Sequence, residues 1–145
     1  MQPFKFFRII VLEDNEFYNR LLTKQLKNYT DVISAQKNYG FEIQSYTNPA
    51  DCLNNLKEDT DLAFVDFYLG NSVTGLELIK QIKEKSPNCK IVIISQVRSV
   101  KTAFHTLAEG ALEYIFKDSN ALARSCFILE DIINSSTNKN NWQLN

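Results

Sequence analysis

Cysteine, glycine, proline and histidine are all scarce in this sequence. Its 145 residues include three Cys, four Gly, three Pro and one His. An odd number of widely spaced cysteines without a CxxC pair excludes a disulfide framework and a cysteine-based zinc site, and a single His excludes a His-rich metal site. So few Gly and Pro residues provide no obvious linker between domains before residue 135. We therefore predict one domain over 5–134, followed by a polar, Asn-rich segment, 135–145, that is either disordered or a linker.

Neither an excess of one charge nor a long hydrophobic run is present. The 16 Lys and Arg residues against 17 Asp and Glu residues give a net charge of −1, which offers no clustered positive charge for nucleic-acid phosphates. No apolar run reaches the roughly 18–20 residues that span a bilayer, and the first eight residues lack the layout of a secretory signal. We therefore expect a cytoplasmic chain that binds neither nucleic acid nor membrane, with its thiols reduced.

Short apolar runs alternate with segments of helical periodicity along the chain. The runs are rich in β-branched and aromatic residues, and they cover 7–12, 41–46, 62–67, 91–95 and 114–116. The second run alternates apolar and polar residues as an edge strand does, whereas the others are apolar on both faces, as in a parallel sheet covered by helices. Alternating strands and helices predict an α/β fold, a doubly wound parallel sheet with right-handed crossovers.

The intervening segments show the spacing of amphipathic helices. The first places Phe17, Leu22 and Leu26 at helical intervals, and Gly75–Lys85 carries a similar apolar face. Segment 28–40 either extends the first helix or forms an extra turn. The last helix is expected to run from about residue 120 to residue 134.

Charged and hydroxyl side chains follow the apolar runs at the points where the strands should end. Glu13 and Asp14 follow the first run, Asp66 lies near the end of the third, Ser95 ends the fourth and Lys117 follows the fifth. Taken singly, each has an ordinary structural explanation; Asp14, for example, could be a helix N-cap. Because loops at the carboxyl ends of parallel strands meet at one crevice, however, all five should converge there. Such clustering of titratable groups is typical of a functional site.

The chemistry of this cluster favours phosphoryl transfer. Crowded carboxylates raise one another's pKa unless a cation lies between them. Two cations fit: the ammonium group of Lys117, and a hard divalent ion such as Mg²⁺, which prefers carboxylate, water and phosphate oxygens. A carboxylate nucleophile beside Mg²⁺ and an ammonium group is suited to accepting a phosphoryl group.

Five motifs, in order, resemble the receiver domain of two-component response regulators: IIVLEDNEF, LAFVDFYLG, TGLELIKQIK, IVIISQ and GALEYIFKD. The resemblance spans about 5–134 and implies a flavodoxin-like (βα)5 fold with strand order 2-1-3-4-5. It implies a phosphoacceptor in a phosphorelay, which receives its phosphoryl group from a sensor histidine kinase or a phosphotransfer protein. Output would come from the face of the fourth helix, last strand and last helix, acting on a downstream protein or on an effector domain outside this chain. Homodimer formation is left open.

The same resemblance implies a role for each residue of the cluster. Asp66 would be the phosphoacceptor, and Lys117 would contact the phosphoryl oxygens. Ser95 would be the switch hydroxyl, and Tyr114 the switch aromatic that turns inward when the hydroxyl moves. The groups that would hold Mg²⁺ are Glu13, Asp14, Asp66 and the backbone carbonyl of Tyr68.

Three alternative functions compete with this interpretation. A haloacid-dehalogenase-like enzyme needs a second Asp two residues after Asp66, where Tyr68 stands, so we expect no enzyme beyond Mg²⁺-dependent self-phosphorylation and dephosphorylation. A dinucleotide site needs a Gly-rich turn where residues 12–15 read LEDN. A degenerate receiver that binds partners without phosphorylation stays open.

The loop over the site departs from the family pattern. The usual Pro after the acceptor is absent, and the geometry of segment 69–75 is not predicted. Bulky Tyr68 and apolar Val97 stand where family side chains tune hydrolysis of the phosphoryl group. They predict a phosphorylated state that is slow to hydrolyse.

Overall fold

Five strands and five helices alternate in the computed structural model, which describes residues 4–69 and 74–143, and side chains up to residue 136. In chain order they are β1 (Lys5–Leu12), α1 (Glu16–Gln36), β2 (Tyr39–Tyr46), α2 (Pro49–Asn55), β3 (Leu62–Asp66), α3 (Gly75–Lys85), β4 (Lys90–Ser95), α4 (Val100–Ala108), β5 (Glu113–Phe116) and α5 (Ala121–Gln143). All strand pairs are parallel, and the sheet order is β2-β1-β3-β4-β5. The predicted fold class and strand order are confirmed, including β2 as an edge strand.

Side-chain caps fix where the helices begin. Asn15 Oδ1 accepts the backbone N–H of Tyr18 at 2.8 Å and starts α1. Ser99 Oγ accepts the N–H of Thr102 at 3.2 Å and starts α4. These short polar side chains satisfy N–H groups that the first helical turn leaves without partners. Asn15, and not Asp14, is therefore the N-cap of α1, which leaves the carboxylate of Asp14 available to the crevice.

The sheet is buried on both faces by two apolar clusters. Alternate residues of β4 point into different clusters: Ile91 and Ile93 pack on the side of α3, whereas Val92 and Ile94 pack on the side of α1 and α5. All four are at most 2% exposed. Because each such side chain contributes about 1.5–3 kcal/mol when fully buried, the strands form a rigid platform for the polar residues that end or follow them.

Helices α1 and α5 both extend into segments whose structure the sequence did not fix or for which it predicted no helix. Helix α1 continues to Gln36, so most of segment 28–40 extends the first helix and its last two residues begin β2. The predicted end of the last helix near residue 134 is wrong, because α5 continues to Gln143 through most of the segment expected to be disordered or a linker. Each added residue of an established helix gains a hydrogen bond, which outweighs the poor propensity of Ser and Asn there. Among the described residues, no helix is both long and apolar enough to cross a membrane.

Candidate functional site

The strand ends bring the predicted polar residues to one crevice. Glu13 and Asp14 follow β1, and Asp66 ends the neighbouring strand β3. Ser95 ends β4, and Lys117 follows β5. A pocket of about 660 Å³ opens there, and the side chains lining it include Asp14, Asp66, Ser95 and Lys117. Glu13 lies at the base of the same crevice, where it is 2% exposed.

Three carboxylates and one ammonium group form the centre of the site. Glu13, Asp14 and Asp66 each offer an oxygen within 4.8 Å of the others. Lys117 forms an ion pair with Glu13, and its Nζ lies 3.6 Å from Asp66 Oδ1. Glu13 Oε2 is buried without a hydrogen-bond donor among the described residues. One positive charge against three negative ones, together with this unpaired oxygen, fits a divalent cation with oxygen ligands.

Burial and crowding weaken the acidity of Asp66. Burial raises its pKa to about 8, the proximity of Glu13 adds to this rise, and Lys117 opposes it. Desolvation disfavours the charged carboxylate, and a neighbouring negative charge does so further. Ionisation of Asp66 is therefore disfavoured in this cluster, and a bound divalent cation would favour it.

The two switch candidates are both tied to the backbone of Val97. Ser95 Oγ accepts the N–H of Val97 at 3.0 Å. The hydroxyl of Tyr114 donates to the carbonyl of Val97 at 2.7 Å, and its half-buried ring packs edge-on against Phe67 and Phe116. Ser95 and Tyr114 thus both bind the backbone of Val97, so a movement of the Ser95 hydroxyl would change the hydrogen bond that Tyr114 makes.

Aromatic and aliphatic side chains line part of the pocket. Phe17 is 65% exposed and Tyr68 is 55% exposed, and both line the pocket together with half-buried Val97. The backbone at Tyr68 pairs with Thr74 in an isolated antiparallel bridge. Residues 70–73 lie outside the described part of the chain, so only the two ends of segment 69–75 are described.

Two residues of α1 belong to the site although the sequence did not single them out for it. The helical spacing grouped Phe17 with Leu22 and Leu26, but only the last two are buried, because Phe17 lies in the first turn at the pocket mouth. Tyr18 places its ring centroid 4.7 Å from Nζ of Lys117. Burial raises the pKa of Tyr18 to about 12, and the negative charge of Glu13 adds to the rise. The only sequence signal was their position just after the acidic pair.

A parallel sheet of order 2-1-3-4-5 with helices on both faces is a flavodoxin-like fold of the kind found in CheY-like proteins, and here an acidic cluster lies at its carboxyl edge. The family model described as "Response regulator receiver domain" matches residues 9–123. The chain therefore belongs to the response regulator receiver domain family of two-component systems.

Curated relatives are similar over most of the chain but are much longer proteins. The transcriptional regulatory protein CssR of Bacillus subtilis is 30% identical over 77% of this chain and 44% of its own length. An NtrX-like response regulator of Rickettsia conorii is 28% identical over 81% of this chain and 24% of its own length. The chain thus spans less than half the length of either relative.

Solved structures share the fold at low sequence identity. A CheY-like receiver domain from Methanospirillum hungatei has a TM-score of 0.70 and 20% identity, covering 91% of this chain and 98% of the other. A response regulator from Burkholderia pseudomallei has a TM-score of 0.65 and 22% identity, covering 86% of this chain and 71% of the other. The latter structure contains a phosphorylated aspartic acid, a calcium ion and citrate.

Proposed function

We propose that this receiver domain accepts a phosphoryl group on Asp66 from the phosphohistidine of a sensor histidine kinase or a phosphotransfer protein. The observation that carries the proposal is the close grouping of three carboxylates, with oxygens within 4.8 Å, beside Nζ of Lys117 at 3.6 Å from Asp66 Oδ1. The phosphorylated aspartic acid in the Burkholderia pseudomallei relative supports it. We expect the domain to act in the cytoplasm, as a switch rather than as an enzyme with an external product.

Mg²⁺ is the cofactor that this donor set fits best. Asp14 and Asp66 would hold it with their carboxylates, Glu13 through water, and Tyr68 with its backbone carbonyl. The unpaired, buried Oε2 of Glu13 and the surplus of negative charge support a divalent cation at this point. When bound, the ion neutralises charge on the phosphoryl oxygens and favours ionisation of Asp66.

The side chains of the site then have separate tasks. An oxygen of the ionised Asp66 attacks phosphorus, and the bond from phosphorus to the donor nitrogen breaks, so the imidazole leaves with the electron pair. Lys117, 3.6 Å from Asp66 Oδ1, attracts a phosphoryl oxygen and stabilises the acyl phosphate. Ser95 would exchange its bond to the Val97 N–H for one to the new phosphoryl group.

Output follows from that exchange. When Ser95 moves, the loop at Val97 releases the hydroxyl of Tyr114, and the ring turns inward. The nearby surface of α4 is apolar and exposed, with Val100 and Phe104 each 68% exposed. We propose that this face, with β5 and α5, contacts the downstream protein or an effector domain of the longer protein.

Intact-mass measurement after incubation with Mg²⁺ and acetyl phosphate tests the acceptor. We expect one added phosphoryl group in the wild type and none in Asp66→Asn or when EDTA replaces Mg²⁺. Asp51→Asn, which neutralises an exposed carboxylate in the first turn of α2, is the matched control and should be phosphorylated normally.

The outcomes separate the two interpretations of the domain. Addition to Asp66→Asn would move the acceptor elsewhere and contradict the assignment. If the wild type gains no mass from acetyl phosphate or from a phosphorylated histidine kinase, and beryllofluoride also fails to bind, the domain is a receiver that works without phosphorylation.

A further inference from the structure

The ammonium group of Lys117 lies between two carboxylates and one aromatic ring. It is paired with Glu13, its Nζ is 3.6 Å from Asp66 Oδ1, and the centroid of the Tyr18 ring is 4.7 Å away. The side chain of Lys117 is only 9% exposed, so little water competes for it. A cation over the face of a tyrosine ring is attracted by the electron-rich π system, most strongly where water is excluded.

From this geometry we propose that Tyr18 is a positioning residue. Its ring keeps the ammonium group of Lys117 beside Asp66 while the N–H groups of Lys117 change their hydrogen-bond acceptor from Glu13 to the phosphoryl group. This inference rests on the proposed role of Asp66 as phosphoacceptor. An ammonium group held by carboxylates alone would stay with its closest partner. The ring attracts the cation without requiring a particular N–H direction, so the contact persists as the N–H groups change acceptors.

A helix cap and apolar packing together position the Tyr18 ring. Asn15 Oδ1 accepts the N–H of Tyr18 at 2.8 Å, so the N-cap of α1 holds the residue at the start of the helix. Its ring also packs against the apolar cluster on the α1 and α5 side of the sheet. The hydroxyl, by contrast, is buried and has no hydrogen-bond partner among the described residues. The contact with Lys117 therefore depends on the ring and not on the hydroxyl.

Single-turnover phosphorylation by acetyl phosphate in Mg²⁺ compares the wild type with Tyr18→Leu and Tyr18→Phe. Tyr18→Leu, which keeps an apolar side chain but removes the π face, should react about fivefold more slowly, as expected for loss of a partly desolvated cation–π contact. Tyr18→Phe keeps the ring and should react as fast as the wild type. If Tyr18→Leu does not fold, Tyr18→Met provides the same comparison.

A double-mutant cycle separates positioning from a general structural effect. In a Lys117→Ala background the ring has no cation to hold, so Tyr18→Leu should cause no further loss of rate. Equal fractional losses in both backgrounds would overturn the proposal. So would a Tyr18→Phe variant as slow as Tyr18→Leu, because that result would assign the effect to the hydroxyl.

An NMR measurement tests the contact without any phosphorylation. The ε-methylene protons of Lys117 should be shifted upfield by the ring in the wild type and in Tyr18→Phe, and the shift should disappear in Tyr18→Leu. An unchanged Lys117 resonance in Tyr18→Leu would refute the contact. If the wild type accepts no phosphoryl group, the proposed function fails, whereas the NMR result still decides whether Tyr18 positions Lys117.

Discussion

Replacing Asp66 with Asn should stabilise the fold, because the native carboxylate sits in an unfavourable environment. Asp66 is 9% exposed. Its pKa is raised to about 8, mainly by burial and secondly by the nearby Glu13. The unfolded chain has an ordinary Asp pKa of about 3.9. Between these two values the folded protein holds a proton that the unfolded chain has lost. The stability of the wild type therefore falls as pH rises from about 4 to about 8.

The size of the effect follows from the same difference. One unit of pKa corresponds to about 1.4 kcal/mol. Because the proton is shared within a cluster that includes Glu13 and Lys117, the effect is smaller than the full pKa difference implies. We expect the free energy of unfolding of Asp66→Asn to exceed that of the wild type by about 1–3 kcal/mol at pH 7.5. For a domain of this length, the melting temperature should rise by roughly 3–10 °C. Asn preserves the shape of the side chain, and Lys117 keeps its ion pair with Glu13.

Thermal and urea unfolding followed by circular dichroism in EDTA, between pH 5 and pH 8.5, provide the assay. The advantage of Asp66→Asn should grow with pH across this range, and added Mg²⁺ should reduce it, because the ion stabilises the wild type by binding the folded state. The control Asp51→Asn removes an exposed charge from the start of α2 and should lose about 0.3–1 kcal/mol at most. If Asp66→Asn is less stable than the wild type at pH 7.5 without metal, the reasoning is refuted.

Three further outcomes are expected. Cys52 and Cys89 are fully buried, and burial raises the pKa of each thiol to about 12, so neither should react with Ellman's reagent at pH 8 faster than the protein unfolds; rapid labelling would contradict this. Tyr68→Asn and Val97→Glu should shorten the lifetime of the phosphorylated domain, measured by loss of the added mass, and an unchanged lifetime would show that these two side chains do not restrict water. Ser99→Ala removes the N-cap of α4 and should cost about 0.5–2 kcal/mol in urea unfolding, whereas Ser99→Asp should retain most of the stability.

The sheet and the cluster at its edge could be predicted because they depend on local pattern. Buried strands need continuous apolar residues, and the first polar residues after them mark the strand ends, so the convergence of Glu13, Asp66 and Lys117 follows from parallel topology alone. The order of the strands required the resemblance to a family, since apolar runs do not specify which neighbour they pair with.

What could not be predicted depends on details that the local pattern does not contain. Asp14 and Asn15 are both good N-cap residues, and only the position of the helix decides between them. The contact of Tyr18 with Lys117 joins residues 99 positions apart and requires the first turn of α1 to face the end of β5. The end of α5 lies beyond the predicted one because propensity is a weak guide once a helix has formed.

The single lysine among three carboxylates gives the site a definite charge balance. With a divalent cation bound, the positive and negative charges of Glu13, Asp14, Asp66 and Lys117 would cancel, so the resting site would be electrically neutral. Conversion of the aspartate into an acyl phosphate adds roughly one negative charge at neutral pH. The phosphorylated site would therefore carry an unbalanced charge and attract hydrogen-bond donors, among them the hydroxyl of Ser95, which ends the neighbouring strand and lines the same pocket. On this view, the negative charge added by phosphorylation drives the switch.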